Sequence, residues 1–138
     1  MTSDLEQILH SGNHSLVVSS RGIHTYDGRG ISDLYRLLND GENLLAGASV
    51  ADKVVGKGAA ALMILGGVDE LHADVISEAA IALLDDSDVK VTYDEHVPHI
   101  INRTGDGYCP VEVLCSECKT AAECLPLITD FITNILRK

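Results

Sequence analysis

Apolar and polar positions alternate along the 138 residues with two different periods. Val89, Val91 and Tyr93 alternate with Lys90 and Thr92, which predicts a half-buried strand. Val50, Val54, Val55, Ala59, Leu62 and Met63 recur near helical spacing, which predicts one long helix over Ser49 to Leu65. Gly56 and Gly58 would weaken that helix by about 1 kcal/mol each, offset by close packing against a strand or ligand. Before it, Asp4 to His10 reads as a short helix capped by Ser3 or Thr2. The runs His14 to Ser20 and Arg21 to Tyr26 form a hairpin, and Ser32 caps a helix through Leu34, Leu37 and Leu38. After Gly66-Gly67 the pattern gives a strand over Glu70 to Ile76 and a helix over Glu78 to Leu84 capped by Ser77. Val97 to Cys109 reads as an ordered loop. A helix then runs from Pro110 toward Cys118, and a last one passes through Leu127, Ile128, Phe131, Ile132 and Ile135. This order predicts one α/β domain over residues 1–138, with a mixed sheet, helices on its faces and parallel pairing only in its second half.

Charge narrows the function classes. Ten Lys and Arg against 21 Asp and Glu give a net charge of -11. Such a surface repels nucleic acid and acidic lipid. With no Trp and one Phe there is no aromatic platform for single strands. The N-terminal residues do not read as a signal peptide, and no apolar run approaches the roughly 20 residues of a membrane span. The expectation is a cytoplasmic protein whose four cysteines are thiols or metal ligands.

Three stretches carry candidate chemistry. In Ala51 to Ala60, the predicted helix puts Lys53 and Lys57 on one face beside Asp52. Lysines near glycines at a helix start suit a phosphate or carboxylate; the plainer reading is a solvated stripe. Gly56-Lys57-Gly58 matches neither a Walker A loop nor a dinucleotide fingerprint. In Val97 to Glu112, Arg103 offers a planar donor fork, with Asn102 beside it. Cys109 precedes a helix start that lowers a thiol pKa, and Glu112 sits in the first turn. The plainer reading is a structural loop with an inert cysteine. Cys115-Ser116-Glu117-Cys118 is a single C-x-x-C pair, with Cys124 nearby. One pair alone does not define a zinc site.

Ala-Asp-Lys-Val-Val-Gly-Lys at 51–57, the Gly66-Gly67-Val68 strand entry, Val-Pro-x-Ile-x-Asn-Arg at 97–103 and Cys-Pro-x-Glu at 109–112 resemble the DUF1893, or TM1506-like, family of bacterial and archaeal proteins. The resemblance runs from about residue 14 to 112, and Cys115, Cys118 and Cys124 lie outside its pattern. It implies a cytidine deaminase-like three-layer sandwich, a mixed sheet of about five strands with helices on both faces. It implies no established activity and no particular cofactor. A zinc deaminase needs His-x-Glu and Pro-Cys-x-x-Cys at two helix starts. The corresponding places, expected near Ala51-Asp52-Lys53 and Ile76-Ser77-Glu78-Ala79, hold neither. The nearest imitation, His72-Ala73-Asp74 with Cys115 to Cys118, has Asp for Glu and Leu114 for Pro. The expectation is therefore a remodelled cleft, without metal, for a small anionic or nucleotide-like molecule. Lys53, Lys57, Asn102 and Arg103 would bind it, and Cys109, Asp52 and Glu112 would carry any catalysis. The alternatives are a metal-binding or redox module built on the C-terminal cysteines, or a non-catalytic homo-oligomer joined through an apolar helix face.

Overall fold

The computed structural model describes residues 3–20, 22–27, 30–39, 44–100 and 110–136. In chain order its elements are α1 (Ser3–Ser11), β1 (Leu16–Ser19), β2 (Ile23–Tyr26), α2 (Gly30–Asn39), β3 (Ser49–Val55) and α3 (Lys57–Gly66). They continue with β4 (Glu70–Ser77), α4 (Glu78–Asp85), β5 (Lys90–Val97), α5 (Pro110–Leu114) and α6 (Ala121–Leu136). The five strands form one mixed sheet in the order β2-β1-β3-β4-β5. β1 is antiparallel to β2 and β3, whereas β3, β4 and β5 are mutually parallel.

Strand alternation divides the apolar residues between two faces. Leu16, Val18, Val50, Leu71 and Ala73 pack with α2, α3, α4 and α6 in the main core. Val17 and Ala51 turn the other way and are covered by Leu5, Ile8 and Leu9 of α1. Burying Leu5 and Leu9 contributes about 1.5–3 kcal/mol each, so α1 is a packed layer. Helix α3 lies at the centre of the other layer. Ala59 to Met63 are all buried, the pattern of a helix surrounded by neighbours rather than one facing water. It ends at Gly67, whose φ of +82° is a left-handed cap; Gly67 N and Val68 N close on the carbonyls of Ile64 and Met63.

The long helix expected over Ser49 to Leu65 is two elements. Ser49–Val55 is strand β3, and only Lys57–Gly66 is helical. Gly56 between them is extended (φ -97°, ψ -178°) and makes the switch. Central parallel strands are buried on both faces and read as near-continuous apolar runs, and β-branched valines favour the pleated surface. Lys53 and Lys57 consequently share no helical face. Two smaller differences concern length: β5 continues past Tyr93 to Val97, and α5 stops at Leu114.

Gly58 admits α5 against α3. A Cβ there would stand 2.4 Å from Val111 Cγ1. Gly58→Ala gains about 1 kcal/mol of helix propensity and loses about 1–3 kcal/mol to overpacking. We expect a lower Tm for Gly58→Ala and its recovery when Val111→Ala is added. A single variant as stable as the parent would show that Val111 yields freely.

Candidate functional site

The N-termini of α3 and α4 meet on one carboxylate. Gly56 has no side chain to cap α3, so the first N–H groups need an outside acceptor. Glu112 Oε2 supplies it, accepting from Lys57 N at 3.0 Å. The same oxygen accepts from Ser77 Oγ at 2.8 Å, while that hydroxyl accepts from Ala80 N at 3.2 Å and caps α4 as expected. Glu112 Oε1 accepts from Ile100 N at 3.1 Å. A side chain 6% exposed thus joins α3, α4, the segment after β5 and α5. The partial positive charge of two helix ends favours an anion here. Gly56 is required by this approach, since a Cβ would stand 2.6 Å from Glu112 Oε2.

The Lys57 side chain reaches the chain just past α5. Its ammonium donates to the carbonyls of Ser116, at 3.2 Å, and Cys118. Those carbonyls follow the end of α5, where helical acceptors lack partners. Lys57 and Glu112 therefore link the start of α3 to α5 and to the chain just after it.

Asp52 and Lys53 take other positions. Asp52 lies in register with Leu16 and Ala73 in mid-sheet and is 3% exposed. Its Oδ1 accepts from Val54 N at 3.3 Å, and its Oδ2 is buried without a hydrogen bond. Burial pushes its carboxyl up to about 7; the Val54 N–H opposes this, and the charges of Asp74 and Asp33 add to it. Lys53 Nζ donates to Asn13 Oδ1 at 2.7 Å, beyond the end of α1. Asn102, Arg103 and Cys109 lie outside the described residues. The structure brings Lys57 and Glu112 together and sends Lys53 to α1.

The family model for DUF1893, a domain of unknown function, matches residues 4–132. The chain belongs to the DUF1893 family. A solved DUF1893 protein from Thermotoga maritima (TM1506) is similar to it, with 28% identity, a TM-score of 0.83 and coverage of 92% of this chain and 86% of that one. No curated protein matches.

In this DUF1893 chain two further groupings carry chemistry. Cys115, Cys118 and Cys124 interact with one another, and none is in a disulfide. Burial, then the neighbouring thiols, push the Cys124 thiol far up, so it is no ready nucleophile. At the sheet edge His96 Nε2 lies 3.4 Å from Glu78 Oε1 in an exposed pair. Sequence reasoning weighed His72 only as an imitation of a deaminase motif and missed its surroundings: β4 buries it beneath α1 among carboxylates. The signal was the alternation itself: His72 and Asp74 occupy one face of a strand, two residues apart. Among the described residues no helix is long and apolar enough to cross a membrane.

Proposed function

We propose that this DUF1893 chain has a deaminase-like fold whose helix-lined edge binds a small anionic or nucleotide-like ligand without a zinc centre. The observation that carries the reading is the convergence of the α3 and α4 N-termini on Glu112 at the C-terminal edge of β3 and β4. Zinc deaminases place His-x-Glu and Pro-Cys-x-x-Cys on two helices. With α3 beginning at Lys57, the first set would fall at Gly56-Lys57-Gly58, and the second at Ser77-Glu78-Ala79-Ala80-Ile81. The donors facing one another there are amides, a hydroxyl, an ammonium and one carboxylate already engaged three times. That set does not fit the deaminase zinc, and no zinc step follows.

Glu112 occupies the position nearest the first N–H of α3, so a ligand anion needs its cation from elsewhere. Arg103, three residues beyond Ile100, supplies it, and Asn102 orients the ligand. Cys109 is the nucleophile if covalent chemistry occurs. Lys57 and Glu112 hold the helix ends in place, and Lys53 stands apart. A thermal-shift screen with nucleotides and phosphorylated metabolites tests this. At least one compound is expected to raise Tm, and Arg103→Ala is expected to abolish the rise. A screen in which nothing stabilises the protein removes the reading.

The proximity of Cys115, Cys118 and Cys124 supports a second reading, a redox module at the α5–α6 turn; the three sulfurs do not converge as a metal-ligand set.

A further inference from the structure

On the face of the sheet covered by α1, the strand register aligns a second polar cluster. His72 of β4 is the register partner of Thr92 of β5. Asp74 and Asp94 lie two residues further along the same strands and share that face. Glu6 of α1 reaches the cluster from above. His72 Nε2 is 3.1 Å from Glu6 Oε1, 3.5 Å from Asp94 Oδ2 and 3.9 Å from Asp74 Oδ1.

These distances are not hydrogen bonds. The His72 side chain is 5% exposed, and its Nε2 is buried without a hydrogen-bond partner. Asp74 Oδ1 is also buried without one. Glu6 Oε1 is near enough to accept an N–H but does not lie where that N–H points. Two orphaned atoms facing one point, a ring nitrogen and a carboxylate oxygen, form a costly arrangement unless something sits between them. A proton on Nε2 would satisfy one carboxylate only if that oxygen were in line.

A metal ion does not need the N–H direction. Bonds of about 2.1 Å place donors about 3.0 Å apart in an octahedron and about 3.4 Å apart in a tetrahedron. The 3.1 and 3.5 Å separations match, and the donor atoms of Glu6, His72 and Asp94 all lie within 4.8 Å of one another. The surroundings resemble a second shell. His72 Nδ1 is hydrogen-bonded to Thr92 Oγ1 at 2.8 Å; when it donates, Nε2 presents its lone pair. Asp74 Oδ2 is held by His10 Nε2 at 2.7 Å, which fixes Oδ1 toward the gap. Asp94, 60% exposed, leaves a side open for entry and water ligands.

We propose that Glu6, His72 and Asp94, with Asp74 as a fourth donor, bind one first-row divalent metal ion that pins α1 to β4 and β5. One imidazole with several carboxylates suits manganese, iron(II) or zinc better than a thiol-seeking ion. The site is independent of the edge around Glu112.

The test titrates Mn2+ into the metal-free full-length chain and follows the free ion by electron paramagnetic resonance. Mn2+ discriminates because it has little affinity for the cysteine cluster. One ion per chain is expected, with a raised Tm. Asp94→Asn, at an exposed position that circular dichroism should show still folded, and His72→Asn should each weaken binding by about tenfold or more. Co2+ in the same protein should give ligand-field bands without a thiolate charge-transfer band. The proposal is overturned by no Mn2+ uptake at millimolar concentration or by unchanged affinity in Asp94→Asn. A Co2+ spectrum dominated by thiolate ligation and unmoved by Asp94→Asn overturns it too. Should His72→Asn fail to fold, Glu6→Gln and Asp94→Asn decide.

Discussion

Glu112→Ala is expected to lower unfolding stability by about 3–5 kcal/mol. The substitution removes one carboxylate and leaves three donors without an acceptor: Lys57 N, Ser77 Oγ and Ile100 N. Each orphaned buried donor costs about 1–3 kcal/mol, and the cap of α4, in which Ser77 Oγ accepts from Ala80 N, gives the Ser77 hydroxyl proton no new acceptor. The loss also frees α5 from the starts of α3 and α4, so it should appear as a lower urea midpoint. Glu112→Gln is expected to cost less, about 1–3 kcal/mol, because its amide keeps one accepting oxygen and turns an NH2 toward the other donors. Alanine behaving within about 1 kcal/mol of the parent would mean that water replaces the carboxylate and that the helix ends are not joined through it.

Much of this architecture is legible in the sequence because the signals are local. Ser77 caps α4 as its position before Glu78 implies. The hairpin between β1 and β2 and the strand after Gly66-Gly67 follow from turn residues and β-branched runs. Strand β3 is the instructive failure. The residues Ser49 to Val55 pack on both faces, so their apolar spacing carries no strand alternation and mimics a helix. Taken alone, the pattern yields four strands; the fifth comes from the family resemblance and then from the register with β1 and β4.

The site was legible only in part, for a different reason. Glu112 is visible as a polar residue in a first helical turn, but its partners are two backbone N–H groups and a hydroxyl up to 55 positions away. Backbone groups leave no mark on composition or spacing. Lys57 is visible as a charge beside glycines, but the carbonyls of Ser116 and Cys118 that draw its ammonium inward are not. Glu6, His72 and Asp94 come from three elements whose juxtaposition depends on the parallel register of β4 and β5 and on α1 crossing above them. Only after β3 is placed as a strand does α1 have a face to cover, so that one misreading also hid the second cluster.

Asp52 should make stability depend on pH, and Asp52→Asn should remove that dependence. An unfolded aspartate titrates near its ordinary 3.8, and burial raises the native carboxyl to about 7. Between those values the native state holds a proton that the unfolded chain has released. Stability is therefore fully present below about pH 4, falls as pH rises toward 7 and levels off above it. The gap from 3.8 to about 7 corresponds to about 4 kcal/mol. Asn keeps an oxygen for the Val54 N–H without the charge, so Asp52→Asn is expected to be about 2–4 kcal/mol more stable than the parent at pH 8. Near pH 4 that advantage should vanish, because the parent's carboxyl is then neutral as well. Urea midpoints of both proteins across this range provide the check, and a constant difference at every pH would contradict it.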